Sequence, residues 1–205
     1  RMIGTNSELV VDRDELKRRV AHAAVMRDRL YDEPYYRLIH AEADGMPGVA
    51  VDRYGDIAVC QIDSAGMAHM ADDLAAALME ELGIKTVVLR GDSPVRKLEG
   101  LDDTTRVIGA DLTGPIDVLE NGFTYRADPV GGQKTGWFFD QRENRAFIAR
   151  LAKDATVLDV YAHTGGFGLA CAAAGASHVT IVDRSEPTLD LARQAAEQAV
   201  LSDTC

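Results

Sequence analysis

Residues 157–183 read VLDVYAHTGGFGLACAAAGASHVTIVD, and the reading of this stretch decides the fold. Val157–Tyr161 is an apolar run that ends in the polar, glycine-rich turn HTGGFG. An alanine-rich segment of helical character follows. A second apolar run, His178–Val182, then ends at Asp183. Strand, glycine-rich turn, helix, strand and terminal acid in this order are the pattern of a β-α-β unit. Such a unit holds a nucleoside or nucleotide at the carboxyl ends of two parallel strands.

The glycines and the acid have separate tasks. Gly165, Gly166 and Gly168 let the backbone approach a ligand without an intervening Cβ. The start of the following helix offers free N–H groups. Asp183 stands 18 residues after Gly165, where an acid accepts hydrogen bonds from ribose hydroxyls. The turn is not G-x-G-x-x-G. It reads D-x-x-x-x-T-G-G-F-G, with Asp159 inside the first strand, and Tyr161, His163 and Thr164 crowd the approach a pyrophosphate would use. A ligand with no phosphate, such as S-adenosylmethionine, fits better, with Asp159 facing its charged amino-acid end. His163 is read as a polar lining residue rather than a base. Cys171, on the alanine-rich helix, is read as core packing.

The remaining composition narrows the class. A chain of 205 residues with 46% hydrophobic content supplies one large domain or two small ones. No apolar run approaches the roughly 20 residues that span a bilayer. Arg1–Val10 lacks the apolar core of a signal peptide. Cys60, Cys171 and Cys205 form no C-x-x-C pair, which argues against a zinc site or a disulfide framework and points to a reducing cytoplasm. The net charge of −11 argues against a broad basic footprint for nucleic acid. Residues 120–150 differ, with five basic side chains against four acidic ones. That locally neutral stretch leaves room for a polyanion partner.

Along the chain, residues 1–10 read as a strand without obvious partners. Asp12 with Glu15 resembles a capping box, and Leu16, Val20, Ala23, Ala24 and Leu30 suit one helix face down to about Tyr31. Tyr36–His40 is a β-rich segment. Val49–Arg53 and Ile57–Ile62 form a hairpin around Tyr54-Gly55-Asp56. Residues 67–82 read as one helix stopped by Gly83, and Thr86–Arg90 as a strand. Residues 91–118 read as loops plus a weak strand, and Glu120–Ala127 as a hairpin around Asn121-Gly122. A domain boundary near 118 separates a small α+β module (11–118) from an α/β domain (119–205). The latter runs polar segment 130–145, helix into 152, strand 156–161, helix 166–174, strand 178–183 and helix 186–199. No internal repeat or low-complexity tract is present.

The segment GGQKTGWFFDQRENR (131–145) adds a second constellation. Gly131, Gly132 and Gly136 make a flexible lead-in, and Phe138 and Phe139 are apolar anchors. Asp140, Arg142, Glu143 and Arg145 alternate in sign; surface pairs at helix spacing are the bland alternative for Glu143 and Arg145, weighed below a functional role. Trp137 is read as a buried anchor in preference to a base-stacking platform.

Together with VLDVYAHTGGFG (157–168), VDRSEPTLDLARQ (182–194), RLIHAEADGMPGVAVDRYGDIAVCQIDSAG (37–66) and VRKLEGL (95–101), this segment resembles a family of S-adenosylmethionine-dependent methyltransferases. These act on large-subunit (23S) ribosomal RNA, carry an N-terminal PUA domain and form 5-methylcytosine. The resemblance implies a small α+β middle domain followed by the first half of a Rossmann-like class I methyltransferase fold, with residues 1–10 a PUA remnant. It implies that Lys134, Thr135, Gly136, Asp140, Gln141 and Arg142 wall the methionine end of the cofactor. Asp159, Tyr161, Thr164, Gly165 and Gly166 would form its floor. Asp183 would hold the ribose, with Arg184 or Ser185 beside the adenine.

The family's thiolate adds to cytosine C6 so that C5 takes the methyl group. No cysteine here matches that motif, so no catalytic residue is assigned, and the chain is expected to be an internal portion of a longer one, inactive alone. Two parallel strands cannot cover both sheet faces, so residues 156–199 are expected to expose apolar surface. Ribosomal RNA is the expected partner, with no metal, no membrane and a possible homodimer. The same β-α-β unit leaves two alternatives open, an NAD(P)-type oxidoreductase and a non-catalytic RNA- or ribosome-binding module.

Overall fold

A computed structural model describes residues 10–132 and 135–205. The chain forms two compact units. The first comprises Arg1–Gly114 with Pro129–Thr135, and the second Pro115–Asp128 with Gly136–Cys205. Among the described residues, no helix is long and apolar enough to cross a membrane.

In the first unit, helix α1 (Arg13–Asp28) starts where Asp12 accepts the Glu15 amide at 2.9 Å. That side-chain cap satisfies one of the helix's orphan donors. Leu16, Val20, Ala23 and Ala24 face the core as their spacing predicts, but Leu30 lies past the helix end and is exposed. Strands β1 (Tyr35–His40), β2 (Val49–Tyr54) and β3 (Ile57–Ile62) are antiparallel neighbours, with β2 and β3 joined by the expected tight hairpin. The expected single helix over 67–82 is two helices, α2 (Ala65–Ala68) and α3 (Ala71–Leu82), with Gly83 as the left-handed stop of the second. The break falls at His69, whose ring Nδ1 lies 2.7 Å from the Ala65 carbonyl, a local bond that competes with helix continuation.

Strand β4 (Thr86–Arg90) returns parallel to β3, and β5 (Arg106–Gly109) closes a sheet of order β1-β2-β3-β4-β5. The stretch read as loop before β5 also contains α4 (Pro94–Leu98), a short helix begun by proline at its first turn. One core holds α1, α3 and the facing sheet residues Leu38, Val49, Val51, Ala58, Cys60 and Val87.

The segment Pro129–Thr135 falls in this first unit, whose side chains hold Pro129, Gly132 and Thr135. Arg90, itself buried, donates to the carbonyls of Pro129 (3.0 Å) and Gly132 (2.8 Å). The Tyr54 hydroxyl donates to the Thr135 carbonyl at 3.0 Å, and the Thr135 hydroxyl donates to the buried Asp52 carboxylate. Asp52 is also met by Arg37 through two bonds, of 2.5 and 3.0 Å.

The second unit opens with the hairpin β6 (Ile116–Glu120) and β7 (Phe123–Ala127). Asn121 and Gly122 both have positive φ (53° and 77°), the conformation a two-residue hairpin turn demands. Helix α5 (Arg142–Ala149) follows a single 3-10 turn. Then come β8 (Thr156–Val160), α6 (Gly166–Ala173), β9 (His178–Val182) and α7 (Glu186–Gln198), with β8 and β9 parallel in register Asp159 to Ile181. Val157, Val179 and Ile181 face a small core with Cys171 and Ala172. The opposite face of this pair is open: Leu158 is 65% exposed, and Val160 and Val182 are exposed with it. This is the uncovered sheet face expected of two parallel strands.

Removing the Asp52 carboxylate leaves Arg37 and Thr135 without their shared acceptor. Asp52→Ala is expected to destabilise the first unit by about 3 kcal/mol and to open residues 129–135 to proteolysis. Urea denaturation with a limited-digestion map checks both; an unchanged digestion pattern counts against the grip.

Candidate functional site

The β8-α6-β9 unit gathers the sequence-predicted floor residues within the second unit. Gly165 is the N-cap of α6 and offers no side chain, so the helix is capped from the strand instead. The Asp159 carboxylate accepts the amide of Gly168 at 2.8 Å. The amides of Gly166 and Phe167 carry no bonded partner among the described residues and stand as donors at the helix start. Burial raises the Asp159 pKa; the Gly168 bond and the charge of Arg145 work against that rise.

Asp183, just beyond β9, ties two turns together. One carboxylate oxygen accepts the His163 amide (2.8 Å) and the other the Ser185 amide (2.9 Å). The Ser185 N–H, foremost, holds its pKa below the usual carboxylate value. Asp183 therefore stays ionised and half-exposed, an acceptor at the strand end. Tyr161 is exposed and His163 half-buried, both at positive φ (60° and 54°), so the turn between Asp159 and Gly165 is sharply bent. Phe138 meets the His163 ring edge-on at 5.2 Å. Burial lowers the His163 pKa, which keeps the imidazole neutral at pH 7. Among the described residues His163 Nε2 and Thr164 Oγ1 are buried with no partner, as is Arg145 Nε. Arg184 is exposed and Ser185 half-buried at the start of α7.

A buried ion cluster stands behind the turn. Glu120, the last residue of β6, is 2% exposed. Its carboxylate accepts from Trp137 Nε1 (3.0 Å), Arg142 Nε (3.4 Å) and Arg145 Nη1 (2.6 Å). Arg145 also donates to the Phe138 carbonyl at 2.9 Å and lies over the Trp137 ring, 4.1 Å from its centroid. A Cβ on Gly166 would stand 2.7 Å from Arg145 Nε and 3.1 Å from Trp137, so the cluster reaches the backbone of α6 itself. A Cβ on Gly168 would meet Ile181 at 2.8 Å, the contact that sets α6 against β9.

The second predicted constellation is divided. Lys134 lies outside the described residues. Thr135 is in the first unit, its hydroxyl committed to Asp52. In the second unit Gly136 is buried at φ 100°, and Asp140 is exposed beside Gln141, whose amide donates to it at 3.3 Å. Arg142 places its guanidinium on Glu120. The surface-pair alternative for Arg145 does not hold, because its partner is the buried Glu120, 25 residues upstream. Helix spacing registers only local pairs, so nothing in the sequence pointed to it. Trp137 is the buried anchor expected, and Cys171 the core residue expected.

The comparisons fall on this same region. Residues 100–199 match the family of S-adenosylmethionine-dependent methyltransferases. The ribosomal RNA large subunit methyltransferase I of Vibrio vulnificus (strain YJ016) is 41% identical over 191 residues, covering 91% of this chain and 48% of that protein. The protein of the same name from Shewanella amazonensis is 39% identical over 192 residues, covering 92% and 48%. The chain thus spans about half the length of these relatives. Among solved structures, a Streptococcus mutans protein described as a SAM-dependent methyltransferase superposes with a TM-score of 0.79 at 22% identity, over 93% of this chain and 50% of that one. A chain described as a methyltransferase complexed with SAH gives 0.80 at 21%, over 95% and 50%. The mixed α/β fold is therefore the one shared with Rossmann-like methyltransferases, as expected from the sequence.

Glu120→Gln removes the carboxylate charge that the buried Arg142 and Arg145 share. It is expected to cost the second unit about 3 kcal/mol, read by urea denaturation; a loss below about 1 kcal/mol would assign the cluster to ordinary surface pairing. His163 gives a pH signature. Its folded pKa lies below the ordinary 6.5, so the unfolded chain binds the proton first. Stability therefore falls as pH drops from about 6.5 towards the folded value. His163→Asn is expected to flatten that part of the melting-temperature profile between pH 7 and 5.

Proposed function

We propose that the second unit is the cofactor-binding part of an S-adenosylmethionine-dependent RNA methyltransferase acting on large-subunit ribosomal RNA. The observation that carries this reading is the β8-α6-β9 geometry. An ionised Asp183 stands at the second strand end, and the unpaired Gly166 and Phe167 amides stand at the first. The family match covers both positions. The donor set suits the group: Asp183 can accept two ribose hydroxyls, and the free amides suit the cofactor's polar end. Thr164 Oγ1 adds a buried polar atom in need of a partner. When bound, S-adenosylmethionine supplies an electrophilic methyl group on a sulfonium.

The remaining assignments extend the same reading. Asp159, Tyr161, Thr164, Gly165 and Gly166 form the floor, and Arg184 or Ser185 flanks the adenine. Gly136, Asp140, Gln141 and Arg142 contribute the methionine side together with Lys134 and Thr135. The middle domain expected over residues 11–118 is the first unit, whose border lies at Gly114 rather than 118, and residues 1–10 are the end of a PUA domain. The methylated atom is cytosine C5, and the protein works in the cytoplasm.

The 205 residues alone bind the cofactor weakly and turn nothing over. Cys60 and Cys171 are buried, and burial raises both thiols, so neither is held as a thiolate. Cys205 is exposed at the surface, and partial desolvation of its thiol raises its pKa.

Titration calorimetry on a protein of the relatives' full length, with S-adenosylmethionine, SAH and NAD, tests the reading. SAH is expected to bind and NAD not. Asp183→Ala is expected to weaken SAH by at least about tenfold, the loss of two charge-assisted bonds. Binding of NAD in place of SAH would transfer the unit to the oxidoreductase reading.

A further inference from the structure

The first unit contains a cavity of about 330 Å³ that the cofactor reading does not use. It lies where the parallel strands β3 and β4 end: Ile62 closes β3, Arg90 closes β4, and both line it. Ala71, the first residue of the crossover helix α3, lines it too, and that helix begins with no side-chain cap. The crevice beyond the carboxyl ends of parallel strands is where open α/β sheets take ligands. The uncapped helix start adds positive partial charge there, offset by Asp72 and Asp73 in its first turn.

The polar lining is basic. Arg90, Arg96, Arg106 and His69 reach the cavity, against one lining acid, Asp102. Asp92 and Asp72 meet Arg90 and Arg106 from outside the lining. Three guanidinium groups thus face three carboxylates, a locally balanced site in a chain of net charge −11.

Helix α4 supplies the second observation. Its one buried residue is Arg96, at 9% exposure, while Leu98 on the same helix is 87% exposed. A structural helix buries the leucine and exposes the arginine. Here the guanidinium is fixed by bonds to the Ile62 carbonyl (2.6 Å) and the Asp102 carbonyl (2.9 Å). Its Nη2 stands 3.7 Å from the Asp102 carboxylate, beyond hydrogen-bond distance. Arg106 gives only Nη2 to Asp72 (2.6 Å) among the described residues. Donors are thus fixed in place with capacity to spare.

We propose that this cavity binds a phosphate group, delivered as a phosphodiester of the RNA strand. Guanidinium forks match phosphate oxygens bidentately, and the volume takes a phosphate with its sugar. The RNA source rests on the function proposed above; a free phosphate or nucleotide shares the chemistry.

Arg106→Ala, at an exposed side chain, separates the possibilities. In the 205-residue chain, anisotropy with a single-stranded RNA oligonucleotide over a KCl series is expected to show weaker binding. The log K against log salt slope should be shallower by about one, with the melting temperature of the chain unchanged. Asp102→Ala, which removes the lining acid, is expected to tighten RNA binding. Amide shifts at Thr104 and Arg106 on titration with inorganic phosphate provide the ligand-only arm. If wild type binds RNA and Arg106→Ala binds it with the same affinity and slope, the proposal falls. If RNA does not bind but phosphate shifts those amides, the site stands as one for a free anion and the RNA reading falls. If phosphate moves neither amide and RNA does not bind, the phosphate site itself is overturned.

Discussion

The second unit depends on one carboxylate. Glu120 is withdrawn from water with two arginines and an indole N–H on it, and each partner comes from a different step of the following chain. Trp137 precedes the 3-10 turn, Arg142 opens α5, and Arg145 lies one turn further on. A carboxylate taken out of water is stable only when its lone pairs are filled by well-placed donors. The hairpin end, the aromatic anchor and the start of α5 therefore have one joint arrangement or none. Because Arg145 and Trp137 lie against Gly166, that arrangement is passed directly to the backbone of the glycine-rich turn.

Two further carboxylates complete the turn by bonding backbone rather than side chains. Asp159 caps α6 from a neighbouring strand, and Asp183 holds His163 and Ser185. Positive φ at Tyr161 and His163 is a strained state for residues with side chains. The amide bonds of these two acids are what offset it. The same charges form a local field in which Arg145 acts on both Asp159 and His163. Burial is the larger cause at both groups, with Arg145 opposing the rise at Asp159 and adding to the fall at His163.

The β-α-β unit was legible because its signals are local. The alternation of apolar runs, the glycines and the terminal Asp183 gave β8, α6, β9 and α7 to within about a residue or two. Elements fixed by distant partners were not. Arg145 on Glu120 and Thr135 on Asp52 span 25 and 83 residues, and no periodicity encodes such a pair. Helix α4 escaped for a related reason: its buried residue is an arginine, so its hydrophobic pattern points outward. The break at His69 was hidden by a side chain bonding its own backbone, while the apolar spacing on both sides continued as one helix.

The chain enters the second unit at Pro115, returns to the first for Pro129–Thr135, and enters the second again at Gly136. Neither unit is therefore a contiguous stretch of polypeptide. A single backbone cut anywhere in residues 115–135 separates at least one unit from a part of itself; at the first crossing it strips Pro129–Thr135 from Arg90, Asp52 and Tyr54. Dissection of this protein into autonomous modules thus calls for rejoining chain ends rather than choosing a boundary.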